Sequence, residues 1–134
     1  MLTRKNPISD NIGSFRFRRK EHLKGRKEIK EVFGKGKRYR CQGAKLFVLK
    51  NDLPYNRICF TFSKEKPASW NSVVRNRARR LGREAFRLMK NRLENGYDII
   101  FQLLVYPGSL SDGMRLQNRR EQLESLFTKA GLIK

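Results

Sequence analysis

Within residues 71–93 the sequence places Arg75, Arg77, Arg79, Arg80, Arg83, Arg87, Lys90 and Arg92 beside a single acid, Glu84. Guanidinium groups grip phosphate oxygens as bidentate forks, which a lysine ammonium cannot do. Asn76 sits among these donors and adds an acceptor, the equipment for reading a base edge or a ribose hydroxyl. A merely solvated helix face mixes its signs so that i,i+4 pairs form. Here like charges stack, and a polyanion is the natural group to offset their repulsion. The chemistry indicated is recognition of a phosphate backbone.

Residues for bond cleavage are scarce by comparison. The twelve acids are scattered, with no D-x-D or D-x-x-E pair of the kind a two-metal nuclease needs. His22 is the lone histidine, so no His-based triad and no zinc cluster can be assembled. Glu84, inside an arginine-rich stretch, is expected to be an ion-pair partner. Autonomous catalysis by this chain is set aside, and neither catalytic nor metal-binding side chains are expected.

Charge supports the same partner. Thirty-two Lys and Arg against twelve Asp and Glu leave a formal +20 on 134 residues, a field that draws in phosphate and weakens steeply with salt. Residues 1–40 carry +10 of it and residues 71–93 carry +7. The length suits one domain with a real core. No apolar run is long enough to span a bilayer, and residues 1–10 lack the apolar core of a signal peptide. A cytoplasmic protein is expected, with Cys41 and Cys59 reduced and acting as packing residues. Binding flat on an anionic membrane would need apolar side chains free to insert, and the apolar faces here are needed for a core.

The elements that position the arginines follow from periodicity. Val74, Ala78, Leu81, Ala85 and Leu88 recur every three or four residues, so they share one face of a helix. Asn76, Arg79, Arg80, Arg83 and Arg87 fall opposite, with Arg75 and Arg77 on the flanks. Asn71 or Ser72 caps the start and Asn95-Gly96 marks the end. Gly82 inside this helix costs up to about 1 kcal/mol relative to alanine. Phe86 lies off the stripe, either packed under a flanking loop or part of the basic face.

Before this helix, residues 1–20 form a loosely ordered basic arm. Phe15 and Phe17 alternate there with cations, a pattern that suits stacking on unpaired bases and equally suits a short strand with buried aromatics. Residues 22–34 form a helix with Ile29, Val32 and Phe33 on its inner side. Tyr39–Lys50 is strand material in which Gly43 signals a bulge or a dividing turn, and Arg57–Ser63 is a second strand. Tyr97–Val105, nearly all apolar, is a strand buried on both faces. Arg115–Ala130 is an amphipathic helix with Leu116, Leu123, Leu126, Phe127 and Ala130 inward. The order helix, strands, helix, strand, helix describes an α/β sandwich with one sheet.

From Val73 to Arg87 the sequence resembles the Arg-Asn-Arg helix of the protein subunit of bacterial ribonuclease P, of the form V-x-R-N-R-x-[KR]-R-x-x-R-E-x-F-R. Leu23–Gly36, Ser63-Lys64 and the last strand and helix fall where that family has its counterparts. The link from Lys66 to Trp70 is longer than usual, and Ser72 replaces a customary alanine. The resemblance implies a single-domain α+β two-layer sandwich like the second domain of ribosomal protein S5, with a left-handed βαβ crossover against the usual rule. It also implies a subunit that binds a catalytic RNA, one protein to one RNA, and promotes removal of the 5′ leader from precursor tRNA. The RNA performs the hydrolysis with Mg²⁺ held mainly by RNA and substrate. By position, Lys64, Arg75, Asn76, Arg77, Arg79, Arg80, Arg83 and Arg87 become the RNA-docking set. Ile29 and Phe33, with strand residues facing them, line a leader cleft that Phe15 and Phe17 extend. Ile29 and Phe33 are equally the types that fill a core. A general RNA-binding protein of similar architecture shares the charge but has no reason for the Arg-Asn-Arg register. A helix-turn-helix DNA binder would need a helix, not a strand and loop, just ahead of the basic one.

Overall fold

The computed structural model describes residues 17–63, 71–104 and 116–134. Its elements run α1 (Arg26–Lys35), β1 (Lys37–Cys41), β2 (Ala44–Lys50), β3 (Arg57–Phe62), α2 (Ser72–Met89), β4 (Tyr97–Leu103) and α3 (Leu116–Lys129), with short 3-10 turns at Arg19–Glu21 and Lys90–Arg92. Gly43, at φ 84°, supplies the left-handed residue of the tight turn between β1 and β2, so the Tyr39–Lys50 segment divides into a hairpin. The sheet order is β1-β2-β4-β3. β1 with β2 and β2 with β4 are antiparallel, whereas β3 and β4 are parallel and joined through α2. β4 is paired on both edges, and Ile99, Ile100, Phe101 and Leu103 are buried, which accounts for its largely apolar sequence.

The two faces of the sheet carry separate cores. Leu46, Val48, Ile58, Phe60, Phe62, Ile99, Phe101 and Leu103 pack under α2 and α3. On the other face Phe47 and Ile100 join Val32 of α1 and Leu23, with Ile29, Phe33 and Cys59 partly buried beside them. The segment before α1 runs along the outer edge of β3, where the Leu23 N–H donates to the Ile58 carbonyl at 3.0 Å. Phe17 then turns back over the α2 side, stacked on His22 at 4.1 Å and tilted against Phe86 at 5.3 Å.

α2 sits on the sheet in an orientation that differs from its simple apolar stripe. Its buried residues are Ala78, Gly82, Ala85, Phe86 and Met89, while Leu88 is 37% exposed and Leu81 half-buried. That is a rotation of about 60° at 100° per residue. Phe86, expected off the stripe, is 1% exposed and belongs to the core. The cause is Gly82: a β-carbon there would lie 2.6 Å from Phe60 Cδ1 and 2.8 Å from Cε1. The missing side chain lets the helix backbone settle directly on an aromatic ring and brings Phe86 and Met89 down beside it. Asn71 provides the cap, its side-chain oxygen accepting the Val74 N–H at 3.1 Å. In α3, Leu123, Leu126 and Phe127 are buried as the pattern predicts, and Arg119 joins them at 1% exposure, its guanidinium bonded to the Gln122 side chain.

Two outcomes follow from this packing. Gly82→Ala should lower stability by about 1 kcal/mol although alanine is the better helix former, because overpacking against Phe60 costs about 1–3 kcal/mol and outweighs the propensity gain of about 1 kcal/mol; an unchanged or raised thermal midpoint would show that α2 can lift away freely. Burial first, then the charges of Arg83 and Lys24, hold the His22 pKa below its ordinary 6.5, against a smaller opposing effect of Glu21. The unfolded chain therefore takes up this proton first, so folding stability should decline as pH falls through the ordinary histidine range. His22→Phe should flatten that part of a stability-versus-pH curve while keeping the stack on Phe17.

Candidate nucleic-acid interface

With Ala78, Gly82, Ala85 and Phe86 facing the sheet, the basic residues of α2 divide into two rows. Asn76, Arg77, Arg80 and Arg87 look outward from the sheet. Arg79, Arg83 and Lys90 lie on the flank nearer β3 and the N-terminal segment. The contacts agree: the Arg79 guanidinium lies 5.1 Å from the centroid of the Phe62 ring, a cation–π seat that aims it without neutralising it. Arg83 acts on both His22 and Cys59 through its charge. Lys90 crosses to Glu21, its ammonium 2.7 Å from each carboxylate oxygen.

Asn76, Arg77, Arg80 and Arg83 are exposed, and Arg75, Arg79 and Arg87 are half-buried. Among the described residues no carboxylate lies within ion-pair distance of Arg77, Arg79, Arg80 or Arg83. Arg87 is different. It makes a bidentate pair with Glu84, at 3.0 Å from Nε and 2.6 Å from the terminal nitrogen, and this bond holds the Glu84 carboxyl below its ordinary range. Glu84 is thus the ion-pair partner its position suggests, and it neutralises one cation of the basic face. Lys64 lies outside the described residues, as do Phe15 and the 66–70 link.

A second surface occupies the opposite face of the sheet. The strand register places Arg38, Phe47, Ile100 and Cys59 in one row across the sheet and Arg40, Lys45, Gln102 and Thr61 in the next. α1 lies over the first row: Phe33 meets Phe47 edge-on at 4.8 Å, and the Arg38 guanidinium is 5.8 Å from the Phe47 ring centroid. Ile29 and Phe33 are half-buried here and contribute both to the core and to an accessible surface. The polar row beside them is half-buried except for Arg40, which is exposed. This platform joins apolar ring surface, cations and a carboxamide, the combination that holds single-stranded nucleic acid. Cys59 lies at its β3 end, where burial pushes the thiol pKa up and Arg79 and Arg83 oppose the shift.

The structure brings Ile29 and Phe33 together but separates Phe17 from them. Phe17 packs on the α2 side of β3 with Phe86 and His22, so it closes the core rather than extending the α1 platform. Arg38, Arg40, Lys45, Thr61 and Gln102 were absent from the sequence-predicted site. The signal was available for the first three: once Gly43 is read as a two-residue hairpin turn, alternation sets Arg38, Arg40, Lys45 and Phe47 on one face.

Comparison with known proteins leads to the same place. The family described as Ribonuclease P matches residues 17–131. A ribonuclease P protein component from Caldanaerobacter subterraneus subsp. tengcongensis is 34% identical over 110 residues, covering 82% of this chain and 89% of the relative. One from a Thermoanaerobacter species is 40% identical over 74 residues, and there the chain spans 61% of the relative's length. Among solved structures, the ribonuclease P protein of Staphylococcus aureus superposes with a TM-score of 0.69 at 21% identity, over 85% of this chain and 98% of that one. The protein from Thermotoga maritima gives 0.68 at 22% identity, over 81% and 96%. At such identities the likeness speaks to the fold, a mixed four-stranded sheet with three helices. From the extent of the sequence match together with this fold, the chain belongs to the ribonuclease P protein family.

Proposed function

We propose that this protein is the protein component of a ribonuclease P ribonucleoprotein in tRNA processing, in which the RNA subunit cuts precursor tRNA endonucleolytically and the protein binds both the catalytic RNA and the 5′ leader. The observation that carries this reading is the cationic face of α2. Arg77, Arg79, Arg80 and Arg83 stand without an acidic partner among the described residues, on a helix locked to the core by Gly82 and Phe86. Fixed guanidinium groups spaced along one helix match a structured RNA backbone, whose positions are fixed in turn. The α1 platform, with Phe33, Phe47, Arg38 and Lys45, suits an unpaired strand, which is what a 5′ leader offers. Magnesium for the hydrolysis is assigned to RNA and substrate. We place the complex in the cytoplasm with one protein per RNA; separately, among the described residues no helix is long and apolar enough to cross a membrane.

Reconstitution tests the docking face. The purified protein should stimulate 5′-leader cleavage by a bacterial ribonuclease P RNA at low Mg²⁺ and physiological salt, and protein alone should cut nothing. A folded Arg75→Ala, Arg79→Ala variant should lose most of that stimulation and show a shallower salt dependence of RNA binding, by about one unit of log–log slope per phosphate contact removed. Full stimulation by the variant would move docking away from α2. Wild-type protein that binds structured RNA yet gives no stimulation would favour a general RNA-binding role. The platform has its own test. Arg40→Ala with Lys45→Ala should weaken binding of a precursor bearing a leader by roughly tenfold, as expected for lost phosphate contacts, and leave binding of mature tRNA unchanged; equal losses for both would exclude a leader-specific surface.

A further inference from the structure

The N-terminal segment carries a histidine over the outer edge of β3 to the cationic flank of α2. His22 bridges to Ile58 of β3, and the next N–H, that of Leu23, donates to the Ile58 carbonyl, so the backbone is held. The ring is held as well. It lies flat on Phe17, at 4.1 Å and 9° from parallel, and Phe17 in turn leans on Phe86. Arg83 stands three residues before Phe86 and is its neighbour on the surface of α2. The run of rings therefore delivers the imidazole to the side of that guanidinium. His22 is half-buried, whereas Arg83 and Lys24 are exposed. The ionisable groups that face the imidazole are Arg83 from α2, with Lys24 and Glu21 from its own segment; β3 presents the apolar Ile58. Glu21 is committed to Lys90, whose ammonium lies 2.7 Å from both carboxylate oxygens. Among the described residues no carboxylate lies within ion-pair distance of Arg83 or Lys24. Among the same residues neither nitrogen of the His22 ring is hydrogen-bonded.

We infer that His22, Arg83 and Lys24 form a subsite at the β3 edge for one phosphodiester of bound RNA. The cluster has donors and positive charge but lacks a negative partner, and a phosphate supplies one. Burial, then the charges of Arg83 and Lys24, disfavours the protonated ring of the free protein, against a smaller opposing effect of Glu21. A bound phosphate reverses that balance, because an opposite charge close by favours the charged form. The imidazole then takes a proton from solvent and donates to the phosphate oxygen. The placement fits the two surfaces already described. Arg79 lies one turn before Arg83 on the same flank of α2, and the charge of Arg83 also reaches Cys59 at the β3 end of the α1 platform. A strand passing from the α2 face to the platform crosses this edge. The inference rests on the RNA-binding reading above and adds to it a contact made with proton uptake. A free inorganic anion shares the chemistry, so the test has an arm for it.

His22 is the lone histidine of the chain, so its ring resonances report its protonation unambiguously. Titrated by NMR on the full chain, their midpoint should move up when a short oligoribonucleotide is bound. Sulfate at equal charge should move it less than half as far. Binding of a bacterial ribonuclease P RNA should correspondingly tighten by about tenfold as pH falls through the ordinary histidine range, as expected when one proton is held about tenfold more tightly in the complex. His22→Phe, which keeps the stack on Phe17, should lose that rise. His22→Arg, whose guanidinium also stacks on a ring, should bind tightly at every pH. Circular dichroism at each pH establishes that the variants compared are folded. A midpoint moved equally by sulfate would assign the cluster to free anions and overturn the RNA subsite. RNA binding that is flat with pH, or that rises equally in His22→Phe, would overturn it and leave the RNA-binding reading standing. Absence of RNA binding at any pH would overturn both.

Discussion

The structure depends on how closely α2 approaches the sheet. At Gly82 the helix has no side chain, and the Phe60 ring occupies the space that a β-carbon would take. That contact sets the rotation of α2, and the rotation decides everything else about the helix. Ala78 and Ala85, both small, keep the approach close on either side, while Phe86 and Met89 fill the space towards α3 and the N-terminal segment. A glycine that weakens the helix in isolation is offset by dense packing, in which each buried methylene contributes about 0.8 kcal/mol.

Because the rotation is fixed, so are the directions of the arginines. Six arginines on a helix free to roll would present an average field with little geometric content. Held by Phe60 and Phe86, they become a defined array, and the Arg79 guanidinium is further seated on the Phe62 ring. Acids are used sparingly around this array. Glu84 engages Arg87, Glu21 engages Lys90, and Glu124 engages Arg92, which bounds the cationic face at the C-terminal end of α2 and leaves the first half of the helix strongly positive. The exposed pairs Glu84–Arg87 and Glu124–Arg92 contribute little to stability, whereas Glu21–Lys90 is largely buried; all three shape the field.

The N-terminal segment links the two sides of the molecule. It lies against the β3 edge through the Leu23–Ile58 hydrogen bond, sends Leu23 into the α1 core and Phe17 into the α2 core, and so covers part of an edge that would otherwise be open to unwanted pairing. It also brings His22, Cys59, Arg79 and Arg83 to one side of the protein, where the α2 face and the α1 platform come nearest each other across β3.

Much of this was legible in the sequence. The order of elements, a bulge or turn at Gly43, a cap at Asn71 or Ser72, the doubly buried β4 and the outward arginines all follow from local periodicity and turn chemistry, since these depend on neighbours within a few residues; the structure chose the hairpin turn and the Asn71 cap. The Arg-Asn-Arg register also carried the family, because a run of side chains on one helix is itself a local pattern. Other features needed the tertiary structure. The stripe of Val74, Leu81 and Leu88 is the more hydrophobic face of α2, yet Gly82 and Phe86 are the ones buried, because close approach to Phe60 outweighs the transfer of a few methyl groups. The row of Arg40, Lys45, Gln102 and Thr61 joins residues from four strands, and no spacing along the chain reveals it; strand order and register decide which side chains become neighbours. Phe17 makes the same point in reverse. Its alternation with cations allowed either a platform or a buried aromatic, and what settled the matter was the arrival of Phe86 and His22 from elsewhere in the fold.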